Sequence, residues 1–139
     1  MNRRSRAAFL ALILAQACHS IEEYRARLYD VFAPAHFVSG FFSDNHRIGF
    51  VIFNVSLVAF GLWCYFGPVC HASRAASALA WFWAVLELLN GLAHVAWAIA
   101  ARAYRPGLAT APLLVLMALV LAWQCRHSPS ATRARIHHV

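Results

Sequence analysis

The sequence of 139 residues has few charged side chains and no lysine at all. Charged residues make up 12% of the chain and hydrophobic residues 62%, and the mean hydropathy is +0.59. Ordinary globular domains carry about 25% charged residues, so this chain has too few charges to cover the outside of a soluble bundle. A chain this apolar is also not solvated well enough to be disordered. The composition predicts an integral membrane protein.

The usual signatures of soluble enzymes are missing as well. The sequence contains no glycine-rich phosphate loop, no GxSxG elbow and no nucleotide-binding motif. None of the four cysteines forms a CxxC pair, which argues against a disulfide framework or a thiolate zinc site. The net charge of +7 comes from arginines in short runs between apolar stretches. This pattern is typical of a polytopic membrane protein, and we expect no nucleic-acid partner.

Four apolar stretches are long enough to cross a bilayer, which takes about 20 residues. They cover approximately residues 7–29, 48–66, 75–101 and 108–125. Backbone groups in hydrocarbon must be hydrogen-bonded within their own segment, so each stretch is predicted to be a helix. The predicted fold is therefore all-α, an integral membrane four-helix bundle formed by residues 1–126. We expect the basic tail, residues 127–139, to be disordered and cytoplasmic.

The distribution of arginine predicts the orientation in the membrane. The side that holds both chain ends and the second loop carries seven arginines: Arg3, Arg4, Arg6, Arg74, Arg126, Arg133 and Arg135. The opposite side carries five, so both termini are predicted to be cytoplasmic, in the plasma membrane of a bacterium. The aromatic segment 29–47 would then lie outside, against the membrane surface.

An alternative for the N-terminal region remains open. The first arginines, the apolar run and Ala15-Gln16-Ala17 are also compatible with a signal peptide that has an A-x-A cleavage site. Cleavage there would leave three spans instead of four.

Polar side chains inside two of the predicted spans are the strongest functional indication. In the first span His19, Glu22 and Glu23 follow at i, i+3 and i+4, and therefore project together. In the third span Glu87, Asn90 and His94 follow at i, i+3 and i+7. Leaving one ionisable group inside a membrane costs about 2.5–3.5 kcal/mol even on lenient scales. We therefore expect the two polar faces to meet at similar depth.

Imidazole and carboxylate together are the usual ligands of zinc, iron or manganese. The sequence therefore predicts a divalent metal ion, with ligands drawn from six residues: His19, Glu22, Glu23, Glu87, Asn90 and His94. A spare carboxylate, Glu23 or Glu87, would be the catalytic base. Three alternatives stay open: a hydrogen-bond network that only fixes helix packing, a sterol-isomerase-like acid/base or ligand-binding bundle without metal, and a non-enzymatic transporter or accessory subunit that uses the cluster as a proton or ion relay.

Two short motifs in order resemble a known family. His19-Ser20-Ile21-Glu22-Glu23 matches HxxEE and Tyr104-Arg105-Pro106-Gly107 matches YxPG, with His94 on the helix between them. The chain resembles the small membrane proteins with an HXXEE domain over most of residues 10–120. The resemblance implies a metal site and names no reaction. From the polar cluster inside an apolar bundle we expect a metal-dependent protein that acts on membrane lipid or another apolar small molecule, and whether it is an enzyme stays open.

Overall fold

The computed structural model describes residues 1–127 of the chain, and this part is helical, with no β-strand. The elements are α1 (Arg3–Arg25), α2 (Leu28–Val31), α3 (Ala33–Gly40), α4 (His46–Cys64), α5 (Ala76–Ala101) and α6 (Ala111–His127). A π-helical turn, Tyr65–Val69, continues α4. The prediction of an all-α fold is confirmed. The predicted disordered tail lies, apart from its first residue, outside the described residues.

The ends of the long helices differ from the predicted spans by a few residues. The first helix begins at Arg3, because the Asn2 side chain accepts a hydrogen bond from the Ser5 amide at 2.7 Å. It ends at Arg25 because Arg27 adopts a left-handed conformation with φ 57°. The last helix begins at Ala111 and not near residue 108, because residues 106–110 form a turn in which Gly107 has φ +89°.

Within residues 1–127, two helices are long and apolar enough to cross a membrane: His46–Val69 and Ala76–Ala101. The last helix is apolar but has only 17 residues, and α1 carries charged groups at both ends. Length and composition therefore support two of the four predicted spans.

The four long helices pack around an apolar core at one end of the bundle. Helix α6 contacts both α1 and α5, and α4 packs on the other side of α1. The indole of Trp83 on α5 is fully buried and meets the ring of Phe9 on α1 edge to face, with centroids 6.5 Å apart. Gly91 on α5 faces Val115 of α6 so closely that an added Cβ would overlap it. The absent side chain lets these two helices approach each other.

The segment between α1 and α4, residues 26–45, covers the other end of the bundle and is called the covering segment below. Its helix α3 packs against α4, where Gly49 leaves no room for a side chain beside the backbone of Ser39. The ring of Phe32, between α2 and α3, lies 4.8 Å from that of Trp97 on α5. Phe37 and Phe41 are 66% and 73% exposed. The segment thus has an inner face that contacts the bundle and an aromatic outer face.

Candidate metal centre

Three buried side chains from two helices converge at the covered end of the bundle. His19 and Glu23 are one turn apart on α1, and His94 comes from α5. Glu23 Oε1 lies 3.3 Å from His19 Nε2 and 2.9 Å from His94 Nε2. One ligand atom from each of the three residues fits within 4.8 Å of the others. This separation suits three ligands of one metal ion.

The opposite nitrogen of each imidazole is engaged elsewhere, and this fixes the position of the ring protons. His94 Nδ1 lies 2.7 Å from the carbonyl oxygen of Pro106, which only accepts hydrogen bonds. His19 Nδ1 lies 2.7 Å from Thr110 Oγ1, whose own proton is donated to the Glu22 carboxylate. Both Nδ1 atoms must therefore donate. In a neutral ring the proton on Nδ1 leaves the lone pair on Nε2, the atom that faces Glu23, and this is the tautomer of a metal-bound histidine.

Glu22, predicted as a metal ligand, turns away from this cluster. Its carboxylate accepts hydrogen bonds from the Tyr104 hydroxyl at 2.6 Å and from the backbone amides of Ala109 and Thr110 at 3.0 and 2.8 Å. The bond to Glu22 raises the pKa of Tyr104 to about 12, so this hydroxyl remains a donor at neutral pH. Glu22 therefore holds the loop between α5 and α6 against α1.

The YxPG motif supplies the other half of the same arrangement. Tyr104 binds Glu22, and the Pro106 carbonyl accepts the proton of His94. A Cβ added to Gly107 would lie 2.5 Å from His94 Nδ1 and 2.9 Å from His19 Cε1. The motif thus orients the His94 imidazole through Pro106, and Gly107 allows both imidazoles to pack against the loop. Sequence reasoning identified it only as a family marker and missed Thr110, for which the sequence gives no signal beyond its nearness to the motif.

Glu87 and Asn90 lie beside the three converging residues and not among them. Glu87 is completely buried, and its Oε2 accepts a long hydrogen bond of 3.4 Å from Asn90. Together with Glu23 and His94 they line a cavity of about 350 Å³. Of the six predicted ligands, the structure brings together His19, Glu23 and His94; Glu87 and Asn90 face the adjoining cavity.

Comparison with known proteins gives one informative result. The chain matches a family described as "Protein of unknown function with HXXEE motif" over residues 10–122, a range that contains both motifs and all three converging residues. No curated protein matches the chain, and no solved structure does. The match covers most of the chain, so the resemblance drawn from the two motifs is confirmed. The protein belongs to the HXXEE family, whose function is unknown.

Proposed function

We propose that this protein binds one divalent cation, zinc, iron or manganese, through His19, Glu23 and His94. The observation that carries the proposal is the convergence of two Nε2 atoms on one carboxylate, while both Nδ1 atoms donate to fixed acceptors. Two histidines and one carboxylate are the ligand set of many catalytic zinc sites and of non-haem iron sites. Such a set leaves coordination positions open for water or substrate.

The distribution of polar and apolar side chains supports a membrane location for the bundle. Large apolar residues are exposed on every long helix, among them Leu14, Trp63, Leu89 and Leu116. In each of the two candidate spans, only 28% of the apolar 18-residue stretch is buried inside the protein, so most of that stretch faces outward. The histidines and acidic groups of the centre lie inside. Apolar side chains outside and ionisable side chains inside are the arrangement expected of a protein that is surrounded by lipid.

The cavity beside the centre supports an enzyme that acts on a lipid or another apolar molecule. Its walls are mostly apolar, and Phe32, Pro34 and Val38 of the covering segment close one side. A bound cation would supply Lewis acidity or an activated water. Glu87 shares the cavity but is not one of the three converging residues, which makes it the candidate general base. The covering segment keeps the centre away from bulk solvent.

A second candidate function needs no metal. His94 Nε2 and Glu23 Oε1 are 2.9 Å apart, a distance that a proton shared between them also satisfies. A protonated His94 paired with Glu23 would act as an acid/base pair in the same cavity. It could work as an isomerase-like site, or as a proton relay in a non-enzymatic subunit.

Metal analysis of protein purified in detergent without chelator separates the two candidates. The metal proposal predicts about one ion per chain, lost in His19→Ala and in His94→Ala. His71→Ala is the matched control, because His71 is exposed in the loop after α4 and its Nδ1 bonds to the carbonyl of Gly67 in its own turn. Far less than one ion per chain, unchanged when zinc, iron or manganese is added back, would contradict the metal site and leave the metal-free candidate.

A further inference from the structure

The cavity beside the candidate centre has a charge pattern that restricts what it can bind. The ionisable groups on its described walls are Glu23, Glu87 and His94, and no arginine of residues 1–127 lines it. In the metal-free protein, an anionic head group would meet two carboxyl groups and no arginine. The charge pattern therefore disfavours carboxylates and phosphates as ligands.

Two buried acceptors on the cavity wall lack a hydrogen-bond donor within the described part of the chain. They are Oε1 of Gln16 and Oε1 of Glu87, on residues that are 2% and 0% exposed. Buried acceptors of native proteins are normally hydrogen-bonded. Both belong to side chains that line the same cavity, so a molecule bound there is placed to supply the missing donors.

A chain of hydrogen bonds fixes which end of the Gln16 amide is the acceptor. Asn54 Nδ2 donates to the Phe50 carbonyl at 3.0 Å, so Asn54 Oδ1 is left to accept. It accepts the proton of the Ser20 hydroxyl at 2.7 Å. The Ser20 oxygen must then accept from Gln16 Nε2, at 3.1 Å. The free atom of Gln16 is therefore its carbonyl oxygen, and exchanging the two ends would break the chain.

We propose that the cavity binds an amphiphile with an apolar body and a hydrogen-bond-donating head, an alkyl alcohol or alkylammonium, which donates to Glu87 and Gln16. Phe50, Phe53, Leu57 and Leu86 line the part that receives the body. The volume of about 350 Å³ is near the lower end for small-molecule sites, roughly 300–1,000 Å³, and suits a single short chain. The identification of this ligand as substrate rests on the proposed function; its binding does not.

Three labelled probes with the same ten-carbon chain test the head group: decylamine, 1-decanol and decanoate. Binding is measured on protein in lipid nanodiscs after removal of metal by chelator, with empty nanodiscs as the background. We expect decylamine, 1-decanol or both to bind saturably at one per chain, and decanoate to show no saturable binding. Decanoate binding as tightly as the other two would overturn the proposal.

Variants then assign the contacts and distinguish the two head groups. Gln16→Leu and Glu87→Leu should each weaken binding at least tenfold, whereas Gln124→Leu, on α6 outside the cavity lining, is the matched control and should not. Glu87→Gln keeps an acceptor but removes the charge, so it should weaken decylamine far more than 1-decanol. Unchanged binding in both leucine variants would overturn the proposal. Metal content of the same variants tests the centre separately, because the probes are measured without metal.

Discussion

At the scale of single residues, the site depends on groups that do not reach the converging atoms. Thr110 links Glu22 to His19, because its hydroxyl donates a hydrogen bond to the Glu22 carboxylate and accepts one from His19 Nδ1. The backbone carbonyl of Pro106 is the hydrogen-bond acceptor for His94 Nδ1. Such outer contacts fix the tautomer and orientation of a metal-binding histidine, and removing one typically weakens metal binding 10- to 100-fold.

Thr110→Val tests this contact, because it removes the hydroxyl while keeping the shape of the side chain. We expect a 10- to 100-fold loss of metal affinity, since His19 Nδ1 loses its acceptor. Thr110→Ser retains the hydroxyl and should bind metal almost as the unchanged protein does. Competition with a metal chelator gives the affinities. Equal affinities in the valine and serine variants would show that the hydroxyl does not orient His19.

The carboxylates near the centre should respond differently to the same substitution. Glu23→Gln removes the carboxylate on which both Nε2 atoms converge, and we expect it to lower bound metal at least tenfold. Glu87→Gln alters the cavity wall and should leave the metal content near one ion per chain. The two variants are matched in size and charge change, and elemental analysis compares them directly. Equal loss in both would place Glu87 among the ligands.

Gly107 allows a further test at this scale. An alanine there would be strained at φ +89° and would press its Cβ against both imidazoles. We expect Gly107→Ala to destabilise the protein by about 1–3 kcal/mol and to lower metal binding. Gly67→Ala is the control, because an added Cβ at Gly67 meets nothing within 4 Å. Thermal unfolding in detergent measures both, and equal midpoints would contradict the close packing described for Gly107.

At the scale of elements, the covering segment is held to the bundle by several contacts, of which the tightest lies between α3 and α4. Helix α3 rests on α4 where Gly49 meets the backbone of Ser39. Phe32 completes the attachment through its ring contact with Trp97 on α5. The position of the segment on the membrane surface stays a prediction, in which the exposed Phe37 and Phe41 would be the side chains that contact lipid. Its inner face closes the cavity.

Gly49→Ala should therefore loosen α3. The added Cβ cannot fit beside the Ser39 carbonyl, so either the helices separate or α3 shifts. We expect faster hydrogen exchange of the amides of residues 33–40, measured by mass spectrometry. Gly40→Ala is the control, since its nearest neighbour would be 3.5 Å away, an ordinary contact. Unchanged exchange in the Gly49 variant would show that this contact does not hold the segment.

At the scale of the whole molecule, the arginine distribution leads us to propose that both termini are cytoplasmic. If all four long helices cross the membrane, the chain returns to the side on which it began. The covering segment follows the end of α1 at Arg25 and precedes the start of α4 at His46. If α1 begins in the cytoplasm and crosses the membrane, this segment and the candidate centre beneath it lie toward the outer side.

Reporter fusions at the C-terminus test this orientation. We expect a green fluorescent protein fusion to be fluorescent and an alkaline phosphatase fusion to be inactive in a bacterial host. A fusion placed between α3 and α4, after residue 44, should give the opposite pair of results. An active phosphatase at the C-terminus would contradict the proposed topology and would fit an odd number of spans.

The sequence by itself determined the class of the fold and the approximate place of its four long helices. Long apolar stretches have few other ways to satisfy their backbone groups, so their helical state needs no knowledge of neighbours. The polar faces of the first and third stretches could also be predicted without knowledge of the packing. Ionisable side chains such as His19, Glu23 and His94 are unfavourable against lipid, so they must face the inside of the bundle. The helix ends depended on local turns such as that at Gly107, and were predicted less well.

Only the tertiary structure decided the roles within the HxxEE motif. Successive residues of a helix are rotated by about 100°, so Glu22 and Glu23 lie on either side of His19 and cannot both face the same neighbour. The spacing permits either to join the histidine. His94 contacts the Glu23 carboxylate, whereas the Glu22 carboxylate accepts hydrogen bonds from Tyr104 and Thr110. Both contacts join positions that are more than 70 residues apart in the sequence. Contacts of such length depend on how the helices pack, which no local pattern in the sequence specifies.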